Sequence, residues 1–282
     1  MNPMILAIDI GNTTTSFGVF EKGRLQSQFA IATQPNRTQD EITLQLKALA
    51  KMRKLHLRRA KQIILCSVVP RMSSVLIQSL KSLVDPTRQG GRSPASRRVP
   101  RSARGERSRG NAIPIKVVGQ DVMVPLVNRY TYPEQVGQDR LVGTYAAWKQ
   151  FKRACIVADF GTAITIDVVT KRGEYLGGVI APGFDISLEA LATRTALLPK
   201  VELREPPELL GRDTANSIRS GLIHGCAALC DGLIGELKSR YAPNATVVAT
   251  GGASPLMAKY AKSLTHLNPH LILEGLYALK FL

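Results

Sequence analysis

The chain has 282 residues, which is long enough for two domains of ordinary size. Its composition, with 44% hydrophobic and 21% charged residues, excludes a disordered protein. No apolar stretch approaches the span of a bilayer, and Met1-Asn2-Pro3 leads directly into an apolar run, so we expect a cytoplasmic protein without membrane segment or signal peptide. The formal net charge is +17, but residues 86–112 hold eight arginines against one glutamate, so much of the excess is local.

The first predicted element is a β-hairpin over residues 4–23. An apolar run ends in Asp9, the chain turns through Gly11-Asn12-Thr13, and an alternating segment returns toward Lys22-Gly23. The turn carries a carboxylate, a glycine and a series of polar side chains. Gly11 lets the backbone approach an anion, and successive N–H groups of a turn form an anion-binding concavity. This hairpin is therefore suited to hold a phosphate group and its counter-cation.

The same pattern recurs near the middle of the chain at an offset of 150 residues. The offset places Asp9 on Asp159 and Gly11 on Gly161. It also aligns Thr15 with Thr165, Val19 with Val169 and Gly23 with Gly173. Either hairpin alone is compatible with an ordinary strand pair and a polar turn. Two copies at constant spacing predict two facing Asp-Gly turns, with a nucleotide held between two similar domains.

Helix and strand patterns alternate after the first hairpin, which predicts an α/β domain. Helical spacing of apolar residues covers 38–56 and 71–84, and a continuous apolar run at 62–69 predicts a buried strand. Residues 86–112 are rich in Gly, Pro, Ser and Arg without apolar periodicity, which indicates a disordered insert. The insert contains no aromatic side chain for base stacking, so nucleic acid is not an expected partner.

A polar and aromatic segment at 129–140 separates predicted strands at 113–118 and 122–127 from a predicted helix at 141–151. The pair Asp139-Arg140 lies just before this helix and just after a glycine. Such a pair fits a functional site, but it equally fits an N-cap aspartate beside an ordinary surface arginine. The sequence leaves both interpretations open.

The second half repeats the alternation of helices and strands. A long helix is predicted from residue 215 to about 241, and a buried strand at 245–250 ends at Gly251-Gly252, where a flat ring can lie against the backbone. The remaining predicted helices are 187–197, 256–264 and 276–281.

The four cysteines lie mainly in apolar segments. Cys226 and Cys230, with His224, raise the possibility of a metal site, but the sequence has no second close pair with zinc-like spacing to complete four ligands. We therefore expect buried, reduced thiols.

Five separated motifs resemble the type III pantothenate kinases of bacterial coenzyme A synthesis, in the actin-like and sugar-kinase superfamily. They are D-I-G-N-T at 9–13, Y-x-x-P-x-x-V-G-x-D-R at 130–140, D-F-G-T-A at 159–163, D-T-x-x-S-I-x-x-G at 213–221 and T-G-G-A at 250–253. The resemblance covers nearly the whole chain outside 86–112. It implies an α/β fold of two related ribonuclease H-like (actin-like ATPase) domains, 1–149 and 150–282, with a central cleft.

The resemblance also implies the reaction, which is ATP-dependent phosphorylation of pantothenate to 4'-phosphopantothenate. The residues implied to bind ATP are Asp9, Ile10, Gly11, Asn12, Thr13, Thr14, Thr15, Ser16 and Thr162, with Gly251-Gly252 near the adenine. The residues implied to bind pantothenate are Tyr130, Gly137, Gln138, Asp139, Arg140 and Thr214, with Asp139 as the catalytic proton acceptor. Asp159 looks like the ligand of a monovalent metal cation (K+ or NH4+), required beside Mg2+. A homodimer with substrate sites at the subunit contact is also implied.

The chemistry of these residue types agrees with that assignment. Phosphoryl transfer depends on positioning and charge neutralisation, which N–H groups, hydroxyls and cations supply. Asp139 suits removal of the acceptor's hydroxyl proton, and Arg140 suits a substrate carboxylate or the phosphates. Ser16 replaces a lysine found in some members, so the first turn lacks a direct cationic phosphate contact and metal ions must balance the charge. The insert at 86–112 is expected to be tolerated, because long surface insertions cost little loop-closure entropy.

Two other functions stay open at this point. The first is an actin-like kinase of another small hydroxylated acid or sugar. The second is a non-catalytic regulator that kept the kinase fold and contacts nucleic acid through its arginine-rich segment. The presence of every proposed reacting residue counts against the regulator.

Overall fold

The structure is a computed structural model that describes residues 4–84 and 113–280. The prediction of a disordered insert at 86–112 lies outside the described residues. Within the described part of the chain, no helix combines the length and apolar character that crossing a bilayer requires.

The first sheet has the strand order β3-β2-β1-β4-β5. Strands β1 to β3 are antiparallel neighbours, whereas β4 and β5 run parallel to β1. Its elements are β1 (Met4–Ile10), β2 (Thr14–Glu21), β3 (Arg24–Ala32), α1 (Gln39–Met52), β4 (Ala60–Ser67), α2 (Pro70–Val84) and β5 (Ile115–Val117). Helix α1 begins where Thr38 and Glu41 form a reciprocal capping box, and α2 begins at Pro70, whose ring suits the first helical position.

The second sheet has the order β11-β10-β7-β8-β9-β6. Two elements precede its central hairpin: β6 (Val127–Asn128) and α3 (Gln138–Phe151). The others are β7 (Cys155–Phe160), β8 (Ala163–Val169), β9 (Glu174–Pro182), α4 (Phe184–Arg194), α5 (Thr214–Tyr241), β10 (Thr246–Thr250), α6 (Ser254–Met257), β11 (His266–Leu267) and α7 (Leu271–Leu279).

Both sheets share one topology. The first order, β3-β2-β1-β4-β5, is reproduced by β9-β8-β7-β10-β11, and the second sheet adds β6 at its edge. The predicted fold class, α/β with two related ribonuclease H-like (actin-like ATPase) domains and a central cleft, is confirmed.

The constant offset of 150 residues is wrong within the second strand of each hairpin. Asp9 lies opposite Ser16, whereas Asp159 lies opposite Thr165, so the offset there is 149. The cause is a turn one residue shorter, because the N–H of Gly11 reaches the carbonyl of Thr14 but that of Gly161 already reaches Ala163. Thr15 and Val19 therefore do not correspond to Thr165 and Val169.

Two further predicted elements differ from the structure. The predicted strand at 122–127 is reduced to an isolated bridge at Val122 and the first residue of β6 at Val127, and Asp121 accepts the N–H of Val117 in a local turn. The helix predicted at 256–264 ends with α6 at Met257. The carboxylate of Asp231 accepts the N–H groups of Lys262 and Ser263, so those donors are satisfied outside a helix.

Each sheet has its own core, and two helices lie between the cores. Helices α1 and α2 cover one face of the first sheet, and α5 covers the second sheet. The last helix, α7, packs on the opposite face of the first sheet, where Leu273 and Leu276 join Val142 of α3. The end of the chain thus returns to the first sheet. The domain boundary near residue 149 stays a prediction.

Candidate active site

The β1–β2 and β7–β8 turns face each other across a cleft of about 660 Å³. The hydroxyls of Thr13 and Thr162, one from each turn, share a hydrogen bond of 2.8 Å across the gap. Asp9 and Asp159 both line this cleft. The facing arrangement predicted from the repeat is therefore present.

Asp9 is the one polar position near the end of an otherwise buried strand, and it lies between Ser16 of β2 and Cys66 of β4. The Cys66 thiol donates a hydrogen bond of 3.3 Å to Asp9 Oδ1. Burial, reinforced by the charge of Asp139, raises the pKa of Asp9 to about 7. The carboxylate therefore occupies a site that favours neutralisation by a proton or a cation.

Asp159 has the equivalent place in the second sheet, between Thr165 of β8 and Thr250 of β10. Burial, followed by the charges of Asp9 and Asp139, raises its pKa to about 7. Strand β10 then leaves the sheet through Gly251, whose φ is +86°. A side-chain carbon at Gly251 would collide with Asp159 Oδ1, so the glycine keeps the space beside this carboxylate open.

Asp139 also borders the cleft, in the first turn of α3. The interpretation of Asp139 as an N-cap is wrong, because Gly137 occupies that position without a side-chain cap. Asp139 Oδ1 instead accepts the N–H of Arg140 at 2.8 Å. Burial raises the pKa of Asp139, and the hydrogen bond and charge of Arg140 oppose this effect. A carboxylate with a raised pKa beside a reaction cleft suits a proton acceptor.

Arg140 is not an ordinary surface arginine. Its Nη2 and Nε donate to Asp167 Oδ1 at 2.6 and 3.1 Å, and Nε also lies 3.2 Å from Oδ2. The phenolic hydroxyl of Tyr175 donates to the same Asp167 Oδ1 at 2.8 Å. Asp167 and Tyr175 are 1% and 0% exposed. Sequence reasoning missed both, although an aspartate within the apolar strand Ala163–Val169 was a usable signal.

The structure brings together most of the residues implied to bind ATP. Those that line the cleft are Asp9, Gly11, Asn12, Thr13, Thr14, Ser16 and Thr162. Ile10 and Thr15 are fully buried and their side chains point into the interior, where Thr15 bonds the hydroxyl of Thr33 at 2.9 Å. Only their backbone groups are available to a ligand.

Of the residues implied to bind pantothenate, Asp139 and Arg140 border the cleft. Four others do not line it: Tyr130, Gly137, Gln138 and Thr214. Tyr130 lies against Gly177, Gln138 packs against Gly119, and Thr214 is an exposed residue at the start of α5.

The cleft is strongly acidic. Its carboxylates are Asp9, Asp139, Asp159 and Asp185, whereas Arg140 is the one Lys or Arg side chain of the described ranges that lines it. Residues 4–84 and 113–280 contain no group of three His, Cys, Asp or Glu side chains that could hold a metal ion alone. Carboxylate and hydroxyl oxygens nevertheless suit hard cations, and Mg2+ commonly binds one or two carboxylates together with substrate phosphates. The donor set therefore fits cations that bind jointly with a phosphorylated ligand.

Part of the cleft lining is apolar and glycine-rich. It combines Gly251-Gly252 with Leu203, Leu256 and Phe184. Such a surface suits a planar ring with a few polar edges, placed beside turns that suit phosphates.

Comparison with known proteins agrees with this geometry. A family model described as Type III pantothenate kinase matches residues 5–95 and 94–236. A type III pantothenate kinase of Anaeromyxobacter dehalogenans (strain 2CP-C) is 36% identical over 273 residues, or 97% of each chain. That of Rubrobacter xylanophilus is 36% identical over 282 residues, covering 98% of this chain and 97% of the relative.

Among solved structures, component A of the (R)-2-hydroxyglutaryl-CoA dehydratase of Acidaminococcus fermentans is similar in fold. Its TM-score is 0.53 at 11% identity, over 98% of this chain and 96% of that one, a likeness that shows the fold alone. The assignment of family rests on the family model and the curated relatives. The chain belongs to the type III pantothenate kinase family, a group of phosphotransferases with an alcohol group as acceptor.

Proposed function

We propose that the cleft binds ATP and pantothenate together, and that Asp139 accepts the proton of the attacking hydroxyl. The family's reaction is the ATP-dependent phosphorylation of pantothenate to 4'-phosphopantothenate, the first step of coenzyme A biosynthesis. The observation that carries the proposal is that Asp9, Asp159 and Asp139 border one cleft although they come from three separate segments.

ATP is proposed to lie across the two facing turns. Backbone N–H groups and hydroxyls of residues 11–16 would bind the phosphates from one side, with Thr162 on the other. The adenine would lie against Gly251-Gly252, where the backbone is unobstructed and Leu256 supplies apolar contact. This arrangement needs no lysine at position 16, provided that cations neutralise the phosphates.

Two cations are proposed to complete the site. Asp9 would hold Mg2+ jointly with the phosphates, and Asp159 would hold a monovalent cation, K+ or NH4+. When bound, these ions neutralise the charge that the phosphates bring into the cleft. Support comes from the acidic lining and from the burial that raises both carboxyl pKa values to about 7.

Asp139 is proposed as the general base. As the hydroxyl oxygen of pantothenate forms a bond to the γ-phosphorus, the bond from that phosphorus to the bridging β–γ oxygen breaks. ADP leaves, and the hydroxyl proton passes to an Asp139 carboxylate oxygen. The first turn of α3 and the N–H of Arg140 fix this carboxylate in place.

A homodimer is proposed, with the acceptor site at the subunit contact. Its support is that Thr214 is exposed and Tyr130 is half-buried, and that both lie outside the cleft of a single chain. A cytoplasmic location is proposed in keeping with the family's metabolic role.

A coupled assay of ADP release tests the proposed function. We expect rapid release with pantothenate, slow release with glycerol or glucose, and a clear stimulation by K+ over Na+. A reaction without acceptor gives the background hydrolysis. Equal or faster turnover of glycerol or glucose would assign the chain to another acceptor. Absence of turnover with all three, together with salt-sensitive DNA binding, would support a regulator instead.

A further inference from the structure

Arg140 is held by a built network in which both partners come from the second sheet. Asp167 of β8 accepts hydrogen bonds from Nη2 and Nε of Arg140. The hydroxyl of Tyr175 in β9 donates to the same Asp167 oxygen. The side chains of Arg140 and Asp167 are 10% and 2% exposed. A side-chain carbon at Gly178 would collide with Asp167 Oδ1, so the glycine leaves space for this carboxylate.

The network determines which N–H donors of Arg140 remain available in the cleft. Asp167 accepts from Nε and from Nη2, which leaves the two N–H groups of Nη1 and the second N–H of Nη2 for a ligand. Because the pair is neutral overall, Arg140 is a weak clamp for phosphate charge but a well-oriented hydrogen-bond donor. Arg140 lines the same cleft as the proposed base Asp139, and its backbone N–H donates to the Asp139 carboxylate, so the two residues lie close together there.

We propose that Asp167, oriented by Tyr175, is a positioning residue that fixes Arg140 for binding of the acceptor substrate and not of ATP. The inference rests on the proposed function, because it assigns the acceptor as the ligand of Arg140. It predicts that Asp167 acts entirely through Arg140.

A double-mutant cycle on the full-length chain tests this inference. We expect Asp167→Asn to raise KM for pantothenate at least about 20-fold while KM for ATP changes less than about twofold. Arg140→Gln should give a similar split. In the Arg140→Gln background, adding Asp167→Asn should change KM for pantothenate by less than about twofold.

Two further variants separate positioning from general stability. Tyr175→Phe keeps the ion pair but removes one donor to Asp167, so we expect a rise of about threefold in KM for pantothenate. Asp231→Asn is a matched control outside the cleft, where the carboxylate accepts the N–H groups of Lys262 and Ser263. It should lower the melting temperature without changing either KM.

The result that would overturn the inference is additivity. If Asp167→Asn raises KM for pantothenate as strongly in the Arg140→Gln background as in the native chain, Asp167 does not act through Arg140. An equal rise in both KM values would likewise contradict it. A native chain that releases no ADP with pantothenate would instead refute the proposed function itself. Should Asp167→Asn fail to fold, an unchanged pantothenate KM in Tyr175→Phe would overturn the inference.

Discussion

At the residue scale, the cleft is distinguished by three carboxylates that line it. Asp9, Asp139 and Asp159 are each partly withdrawn from water, and each has a raised pKa. For Asp9 and Asp159, burial is the largest cause and neighbouring carboxylates add to it. A site of this kind is unfavourable in isolation and becomes favourable when cations and a polyphosphate enter together.

Replacement of Asp139 tests its assignment as the base. Asp139→Asn keeps the shape of the side chain but cannot accept the proton, so we expect turnover to fall by roughly two to four orders of magnitude. ATP affinity, measured by calorimetric titration, should remain nearly intact. A variant with normal turnover would remove Asp139 from the mechanism.

The raised pKa values of Asp9 and Asp159 predict how stability depends on pH. Both rise from 3.8 to about 7 on folding, so between these values the folded chain binds more protons than the unfolded chain. The stability contributed by these two groups is therefore fully present below about pH 4 and is lost as the pH rises to about 7. Thermal unfolding of the metal-free protein should give a higher melting temperature at about pH 5.5 than at about pH 8.

The control for this effect is the double variant Asp9→Asn, Asp159→Asn. Its side chains do not titrate, so its melting temperature should change less between the same two pH values. The same slope in the native chain and in the double variant would contradict the assigned origin of the pH dependence.

At the scale of elements, the strand–turn–strand unit was the most predictable part of the molecule. Asp9 and Asp159 each lie next to last in a buried strand. The alternation of apolar and polar residues in the strand that follows indicates where the turn lies. The shift in offset from 150 to 149 was not predictable, because it depends on which carbonyl closes the turn and not on residue type.

Elements whose ends depend on distant side chains were predicted poorly. The helix expected at 256–264 ends at Met257, and Asp231, on a different helix, binds the N–H groups of Lys262 and Ser263 in place of helical carbonyls. The partner of Arg140 was invisible for the same reason, since Asp167 is 27 residues away in the chain. Local pattern identifies which side chains are available, whereas their pairing is decided by the tertiary fold.

The end of β10 allows a test with an adjacent control. Gly251 has a φ of +86°, and a side-chain carbon there would meet Asp159 and the backbone of Phe160, so Gly251→Ala should destabilise the fold by at least about 1 kcal/mol. Gly252→Ala meets nothing within 4 Å and should be nearly neutral. Urea unfolding measures both. Equal stability of the two variants would contradict the proposed role of Gly251.

At the scale of the whole molecule, helices α3 and α7 connect the two sheets. Helix α7 packs on β1 and contacts α3, which carries Asp139 and whose Arg140 reaches Asp167 of the second sheet. The proposed base therefore lies on a helix that contacts both halves. This placement holds Asp139 in the same cleft as the two turns that are proposed to bind phosphate.

Removal of residues 87–111 tests whether the arginine-rich segment contributes to the enzyme. Val84 and Ile113, the described residues on either side of the segment, contact the same core, so a short connection is compatible with the fold. We expect turnover, measured by ADP release, to remain within about twofold of the native value. The oligomeric state, measured by light scattering, should be unchanged. Loss of either would show that the segment has a structural role.

The central claim is that both aspartate-bearing turns bind one ATP molecule through cations. Calorimetric titration of ATP in the presence of Mg2+ and K+ tests it most directly, with the native chain compared against Asp9→Asn and Asp159→Asn. Because each carboxylate is proposed to hold a cation that neutralises the phosphates, each substitution should weaken ATP binding at least about tenfold. Native ATP affinity in either variant would contradict the claim.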